Sequence, residues 1–347
     1  MSTVAPEVLN KLDLRYVSDD QPGFSRRRAG KGFYYLKTNG QRLQSRPILK
    51  WIKSLAIPPA WQNVWISPQR KSYLLCTGRD SAQRKQYRYH PEWLAYNRSS
   101  RFQQQFAFGL QLPRLRQHVY RLLTQSDEPD FDTVVATVIR LLDRTLIRIG
   151  NESYAKQNET YGITTLRKNS VDIKGDHVIF DFVGKSGVKT ELDIDDPVAV
   201  SILANCQDLP GQRLFRYKKP NGRYGRVTST HINQFLNDYL EADFTAKDFR
   251  TWGGTVAFTD HLISANMTDD EKLKAKHVLQ AEKQTASCLN NKLSTARSYY
   301  INPMVREAYL DNTLQTHIED PQIDLSRLRR AENVLMSLLA DQNQSMA

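Results

Sequence analysis

The chain has 347 residues, room for about two domains of ordinary size. Its hydrophobic share of 40% suffices for ordinary cores, and no apolar run approaches the ~20 residues of a membrane-spanning helix. Lys and Arg number 49 against 37 Asp and Glu, for a net charge of +12; that whole excess sits in the first 100 residues, with 18 basic and 6 acidic side chains. A basic excess segregated in this way is the electrostatic footprint of a polyanion grip.

The N-terminus carries no secretory apolar segment, so a cytoplasmic protein is expected. Cys76, Cys206 and Cys288 lie far apart, without metal-ligand spacing. They are expected to be reduced and buried. No His, Cys and carboxylate cluster points to a metal.

Residues 1–28 read as polar loop, with Arg26, Arg27 and Arg28 as a basic arm and a mobile tip. From Gly32 to Tyr89 the pattern is β-rich. Phe33–Leu36, Val64–Ile66 and Tyr73–Cys76 read as strands, Asn39-Gly40 as a turn, and Ile48–Leu55 as a short helix. The run from Thr77 to Pro91 alternates cations with aromatics, among them Arg84, Lys85, Gln86, Tyr87 and Tyr89. The cations there suit phosphates, while the aromatics and Gln suit sugars and base edges. A solvated strand with its aromatics packed inward is the plainer alternative.

Past Trp93 the spacing turns helical, over Phe102–Leu110 and Leu115–Leu123. Charge and periodicity change together near there, dividing the chain into a basic β-rich domain, 1–97, and a mainly α-helical domain, 98–347. The fold class is therefore α+β.

Asp132 reads as the N-cap of a helix that delivers Arg148 just before a stop at Gly150. Arg148 lies between Ile147 and Ile149, at the edge of an apolar wall, where an arginine has an anionic partner. A carboxylate and an external anion both fit that description. Residues 163–194 read as a three-stranded antiparallel meander with Lys185 at a hairpin tip. A helix runs from Pro197 to about 207, a basic loop from Phe215 to Arg226, and another helix from Ser229 to Leu240. Thr245 caps a helix whose Lys247 and Arg250 share a face. Gly253-Gly254 in that helix leaves room for a second backbone, or for nucleic acid. Tyr299 and Tyr300 then precede an Asn302-Pro303 break, and a final helix is expected over Leu325–Leu339, with a frayed tail from Asp341.

A tyrosine hydroxyl, with an ordinary pKa of about 10, is a poor nucleophile at pH 7. It becomes useful where cations crowd the group it attacks. Arg148, Lys185, Lys247 and Arg250 are candidates for that crowding, and Tyr300 for the nucleophile.

With these residues in view, the chain resembles the type IB DNA topoisomerases, in particular the small poxvirus and bacterial kind. The resemblance runs from about Gly32 to Pro303. It rests on LAIPPAW (Leu55–Trp61), TGRD (Thr77–Asp80), RKQYRYH (Arg84–His90), IRIGNESY (Ile147–Tyr154), FDFVGK (Phe180–Lys185), TAKDFRTW (Thr245–Trp252) and SYYINP (Ser298–Pro303). It implies the DNA breaking–rejoining fold shared with tyrosine recombinases. Tyr300 would attack a DNA phosphodiester, leaving a 3′-phosphotyrosyl link and a free 5′-hydroxyl. Arg148 and Arg250 would hold the non-bridging oxygens, Lys185 would protonate the leaving oxygen, and Lys247 would be an accessory cation. Strand swivelling followed by resealing would relax supercoils of either sign, with neither ATP nor metal nor any other cofactor.

The poxvirus and eukaryotic enzymes carry a histidine nine residues before the nucleophile; here that position is Asn291. An amide can donate to a phosphate oxygen but cannot shuttle a proton. The resemblance points to Gln86, Tyr87, Tyr89 and Tyr154 as DNA contacts. It implies a monomer that clamps duplex DNA, preferably supercoiled, in the nucleoid of a bacterial cytoplasm. A tyrosine recombinase and a non-catalytic DNA-binding protein are the rival readings. Recombinases usually carry an Arg-x-x-His/Arg pair shortly before the tyrosine, and their N-terminal regions do not carry these motifs.

Overall fold

A computed structural model describes residues 6–126, 128–265, 268–321, 323 and 325–346, with backbone alone for 342–346. The chain divides into two compact units, Met1–Ser100 and Arg101–Ala347. Both mix helix with antiparallel sheet.

The first unit is a five-stranded antiparallel sheet with two helices. In chain order it comprises α1 (Pro6–Lys11), β1 (Phe24–Ala29), β2 (Gly32–Leu36), α2 (Arg46–Ser54), β3 (Gln62–Ile66), β4 (Leu74–Arg79) and β5 (Lys85–Tyr89), with strand order β2-β1-β3-β4-β5. Phe24, Ile52, Val64, Ile66, Leu75 and Cys76 form its core. The expected basic arm is instead part of β1. Arg26 is 8% exposed; it donates to the carbonyls of Ile57, Pro58 and Trp61 and lies over the Phe33 ring. Three carbonyls from one loop satisfy a guanidinium that the sequence presents as a free charge. The expected mobile tip lies largely within residues 1–5, outside the described residues.

The two helical stretches past Trp93 are one helix, α3 (Pro91–Gln125), which runs through Pro113. An internal proline costs ~3 kcal/mol. The apolar stripe Phe108, Leu112, Leu115, Val119, Leu123 continues across it and is fully buried, which offsets that cost.

At the centre of the second unit is α4 (Phe131–Thr145), buried along Val134, Val135, Val138, Ile139, Leu141 and Leu142. Its cap is Asp130, whose carboxylate accepts from the Thr133 N–H at 2.8 Å; Asp132 already lies in the first turn. The helix ends at Thr145, five residues before Gly150, because Leu146 takes a left-handed conformation at φ 54°. After α5 (Glu152–Asn158) comes the meander β6 (Val171–Lys174), β7 (His177–Val183), β8 (Lys189–Asp195), with Phe180 opposite Leu192 and Val183 opposite Lys189. Phe180 and Phe182 point into the core, as their period-2 spacing requires.

Next are α6 (Pro197–Asp208) and a two-stranded hairpin, β9 (Arg216–Lys218) and β10 (Tyr224–Arg226), where a loop was expected. Its turn holds Asn221 and Gly222, the latter at φ 75°, a residue pair suited to closing short strands. The chain continues through α7 (Ser229–Leu240), α8 (Ala246–Ile263), α9 (Glu271–Cys288), α10 (Leu293–Tyr299), α11 (Pro303–Leu310), α12 (Leu314–Glu319) and α13 (Arg330–Met346). The last helix begins five residues later than expected and includes Asp341. Glu332 sets that start by accepting the Arg329 N–H, a capping contact. Cys76 and Cys206 are buried, but Cys288 is exposed at the end of α9. No helix among the described residues is long and apolar enough to cross a membrane.

Candidate active site

Tyr300 follows directly on α10 and lies across α8. A Cβ on Gly254 would sit 3.1 Å from both the Cβ and the carbonyl oxygen of Tyr300. One on Gly253 would sit 2.2 Å from the Leu146 side chain. The glycine pair therefore admits two segments of this chain, and both glycines are buried, so nucleic acid does not reach them.

Thr255, one residue on, secures the backbone on both sides of the tyrosine. Its hydroxyl lies 2.9 Å from the Tyr300 carbonyl and accepts from the Asn302 N–H at 3.1 Å. Gln105 Nε2 donates to the Thr251 carbonyl and the Thr255 hydroxyl, and Gln105 Oε1 accepts from Asn302 Nδ2. Asn302 Oδ1 in turn accepts from the Met304 N–H. These donors and acceptors close on one another. The single Thr255 hydroxyl proton has two carbonyls within reach, Tyr300 at 2.9 Å and Thr251 at 3.1 Å, and Gln105 already serves the second. Thr255, Asn302 and Gln105 are at most 3% exposed. The sequence reading passed over all three; Asn302 before Pro303 was the visible trace, and it caps α11.

On the same helix, Arg250 is 5% exposed. It donates to the carbonyls of Leu146 and Leu289, and its guanidinium carbon lies 5.1 Å from the Tyr300 ring centre. Arg148, half-buried, donates to the Asn290 carbonyl at 3.0 Å and to Asn291 Oδ1. These partners are neutral: no carboxylate pairs with Arg148 among the described residues. Because arginine can only donate, the Asn291 oxygen must face Arg148 and its NH₂ must face away. That Nδ2 and Arg250 Nε are buried without a protein acceptor. A buried unpaired donor costs ~1–3 kcal/mol, so one on the arginine beside Tyr300 and one on the amide that holds Arg148 fit a phosphate oxygen.

The electrostatics agree with that fit. Burial raises the pKa of the Tyr300 phenol, but Arg250, by charge and hydrogen bond, with Lys247 and Arg148, outweighs it, and the net pKa is lowered from 10.0. Burial, then the charge of Arg250, lowers the pKa of Arg148. Lys247 has an exposed surface, yet its ammonium is crowded enough that burial, followed by the charge of Arg101, lowers its pKa. Lys185 lies at the β7–β8 turn, exposed. It lines a cavity of about 250 Å³ with Arg148, Arg250, Lys189 and Asn290. Asn290 Nδ2 donates to Thr190 Oγ1 at 2.9 Å, tying the Asn290-Asn291 turn to β8.

Arg148, Arg250, Lys247, Asn291 and Tyr300 thus come together, with Lys185 at the mouth of the adjoining cavity. Tyr154, near the start of α5, is 48% exposed. In the first unit, Arg84, Lys85, Gln86, Tyr87 and Tyr89 lie on or beside β5. Arg84 pairs with Asp80, Lys85 pairs with Asp19, and Gln86 donates to Asp80. Tyr87 and Tyr89 stack with ring centres 6.0 Å apart.

Comparison with known proteins shows the family of the chain. Residues 91–322 match the family described as eukaryotic DNA topoisomerase I, catalytic core, so the chain belongs to the type I DNA topoisomerases of the IB class. Residues 32–80 match the bacterial DNA topoisomerase IB, N-terminal domain. The chain is 29% identical over 314 residues to a DNA topoisomerase 1B of Acanthamoeba polyphaga mimivirus, covering 87% of this chain and 92% of that protein. It is 27% identical over 213 residues to DNA topoisomerase 1 of Candidozyma auris, covering 56% of this chain and 27% of the longer protein. DNA topoisomerase 1 beta of Arabidopsis thaliana is 26% identical over 206 residues, covering 58% of this chain and 21% of that one.

Proposed function

We propose that this topoisomerase relaxes DNA by a nick made and resealed at Tyr300. The observation that carries the reading is the pair of buried donors left without acceptors among the described residues, Arg250 Nε on the arginine beside the Tyr300 ring and Asn291 Nδ2 on the amide that holds Arg148. Tyr300 Oη forms a bond to phosphorus as the bond to the 5′-oxygen breaks, and the phenolic proton passes to solvent water. Arg250, Arg148 and Asn291 hold the non-bridging oxygens as charge grows there. Lys185, exposed on its turn, gives a proton to the departing 5′-oxygen, and Lys247 adds positive charge beside the phenol. The 3′-phosphotyrosyl bond keeps the energy of the broken phosphodiester, so reversal reseals the strand without ATP. Protein cations perform the neutralisation, so no metal is assigned to the step.

In the same reading, residues 98–347 are the catalytic domain, with the breaking–rejoining fold of tyrosine recombinases. Residues 1–97 supply a basic grip on duplex DNA, through Arg84, Lys85, Gln86, Tyr87 and Tyr89, with Tyr154 a further contact beside the catalytic groups. The enzyme acts as a monomer, prefers supercoiled DNA and works in the nucleoid.

The test is negatively supercoiled plasmid mixed with purified protein in EDTA without ATP. Complete relaxation is expected. Joining of strands from different duplexes would instead mark a recombinase, and binding without a covalent adduct a non-catalytic protein. Tyr300→Phe should abolish the adduct and Tyr299→Phe keep it; the reverse outcome would move the nucleophile.

A further inference from the structure

Arg101, on α3, is assigned no role by the reaction proposed above. Its Nη1 is buried and has no hydrogen-bond partner. Its guanidinium carbon lies 5.9 Å from the ring centre of Tyr299. Lys247 is drawn toward Arg101 by the helix packing: Gln105, one turn along α3 from Arg101, donates to the carbonyl of Thr251, one turn along α8 from Lys247, and Arg101 is the foremost charge acting on Lys247. No carboxylate pairs with Arg101 among the described residues. Stacking on a tyrosine contributes ~0.5–1 kcal/mol at a surface, which neither satisfies an N–H nor offsets two cations held together.

Two crowded cations and a buried free donor call for an anion. It is not the scissile phosphate, whose donors are Arg250 and Asn291 on the Tyr300 side. Arg101 stands over Tyr299, the neighbouring residue, and Lys247 feels both Arg101 and Tyr300. We propose that Arg101 and Lys247 form a second anion site for the phosphate next to the scissile one on the attacked strand. Arg101 supplies the fork and Lys247 the charge shared between the two phosphates. This rests on Tyr300 being the nucleophile. It makes Arg101 a positioning residue that sets where along the strand Tyr300 strikes.

The experiment is single-turnover cleavage of a duplex in which each phosphate near the cut is replaced in turn by a neutral methylphosphonate. Wild type and Arg101→Gln are compared, with Arg101→Lys and thermal melting as controls for folding. A lost charge-assisted contact should slow wild type about tenfold at one position beside the cut. Arg101→Gln should be slowed by a similar factor on unmodified DNA, with no further loss from the methylphosphonate at that position. In a Tyr300→Phe background, Arg101→Gln should reduce the slope of log affinity against log salt by about 0.9. Additive losses at every position, with an unchanged salt slope, would overturn the site while leaving the nucleophile standing. A wild type that forms no adduct on unmodified DNA would instead overturn the parent reading, and this proposal with it.

Discussion

The guanidinium carbon of Arg250 lies 5.1 Å from the centre of the Tyr300 ring, on the helix that also holds the Tyr300 backbone. Burial pushes the phenol pKa up and Arg250 is the main force pulling it down, with a net value below 10.0. A lowered folded pKa favours the anion. Its contribution to stability is full above the unfolded value and lost as pH falls through the folded one. A difference titration of wild type against Tyr300→Phe should find a phenolate midpoint below 10. In Arg250→Gln that midpoint should move upward, because the effect of burial then has less to oppose it. An unmoved midpoint would refute this account of the pair.

Asn291 stands with its oxygen on Arg148 and its NH₂ unpartnered. Asn291→Ala removes the amide proposed to hold a phosphate oxygen and should slow single-turnover cleavage about 10–100-fold, with little change in DNA affinity. Since an amide does not titrate, the wild-type rate should show no inflection near pH 6.5, whereas Asn291→His should introduce one. Cleavage by Asn291→Ala at the wild-type rate would remove Asn291 from the mechanism.

Thr255 makes the hydrogen bond to the Tyr300 carbonyl. Thr255→Val leaves that carbonyl, the Asn302 N–H and a Gln105 N–H short of a partner inside the core. The expected cost is ~1–3 kcal/mol of stability for each buried group left unpaired. Cleavage and resealing should both slow, because Tyr300 loses its seat, while Thr255→Ser should restore both. Equal behaviour of Val and Ser in stopped-flow cleavage would show that the hydroxyl does not position Tyr300.

Glu332, fully buried, accepts from Arg116, Arg329 and Trp252. Burial opposes its ionisation, yet the two arginines hold its pKa down to about 2, from 4.5. The corresponding stability, roughly 3 kcal/mol, is present above the unfolded value and lost as pH falls toward the folded one. Urea denaturation at a series of pH values should show this loss between about 4.5 and 2. Glu332→Gln should be less stable at pH 7 and should flatten that acid limb. A limb of unchanged slope would place the acid sensitivity in other carboxylates.

Much of this architecture was legible before any coordinates. The meander, with Lys185 at its turn, follows from period-2 spacing and the glycine turns. The helix from Thr245 announces itself by its cap, and Lys247 and Arg250 follow on one face from their separation of three. Where reading failed, a distant partner had overridden a local signal. Arg26 looked like a free charge until three carbonyls about thirty residues away enclosed it. The sequence offered two helical stretches, Phe102–Leu110 and Leu115–Leu123, but the buried stripe of α3 runs unbroken through Pro113 between them. Gly253-Gly254 marked a close approach, but which segments approach depends on Leu146 and Tyr300.

By itself the sequence singled out Tyr300 and four cations as candidates for one chemistry, because residue type and order carry that information. It could not say how they are held. Tertiary structure decided that Arg148 faces an amide rather than a carboxylate, that Asn291 turns its NH₂ away from Arg148, and that Thr255 fastens Tyr300 to the helix of Arg250. The physical reason is that hydrogen bonds have direction and each donor has few acceptors within reach. Which donor remains free follows only when all partners, some more than a hundred residues apart, are in place.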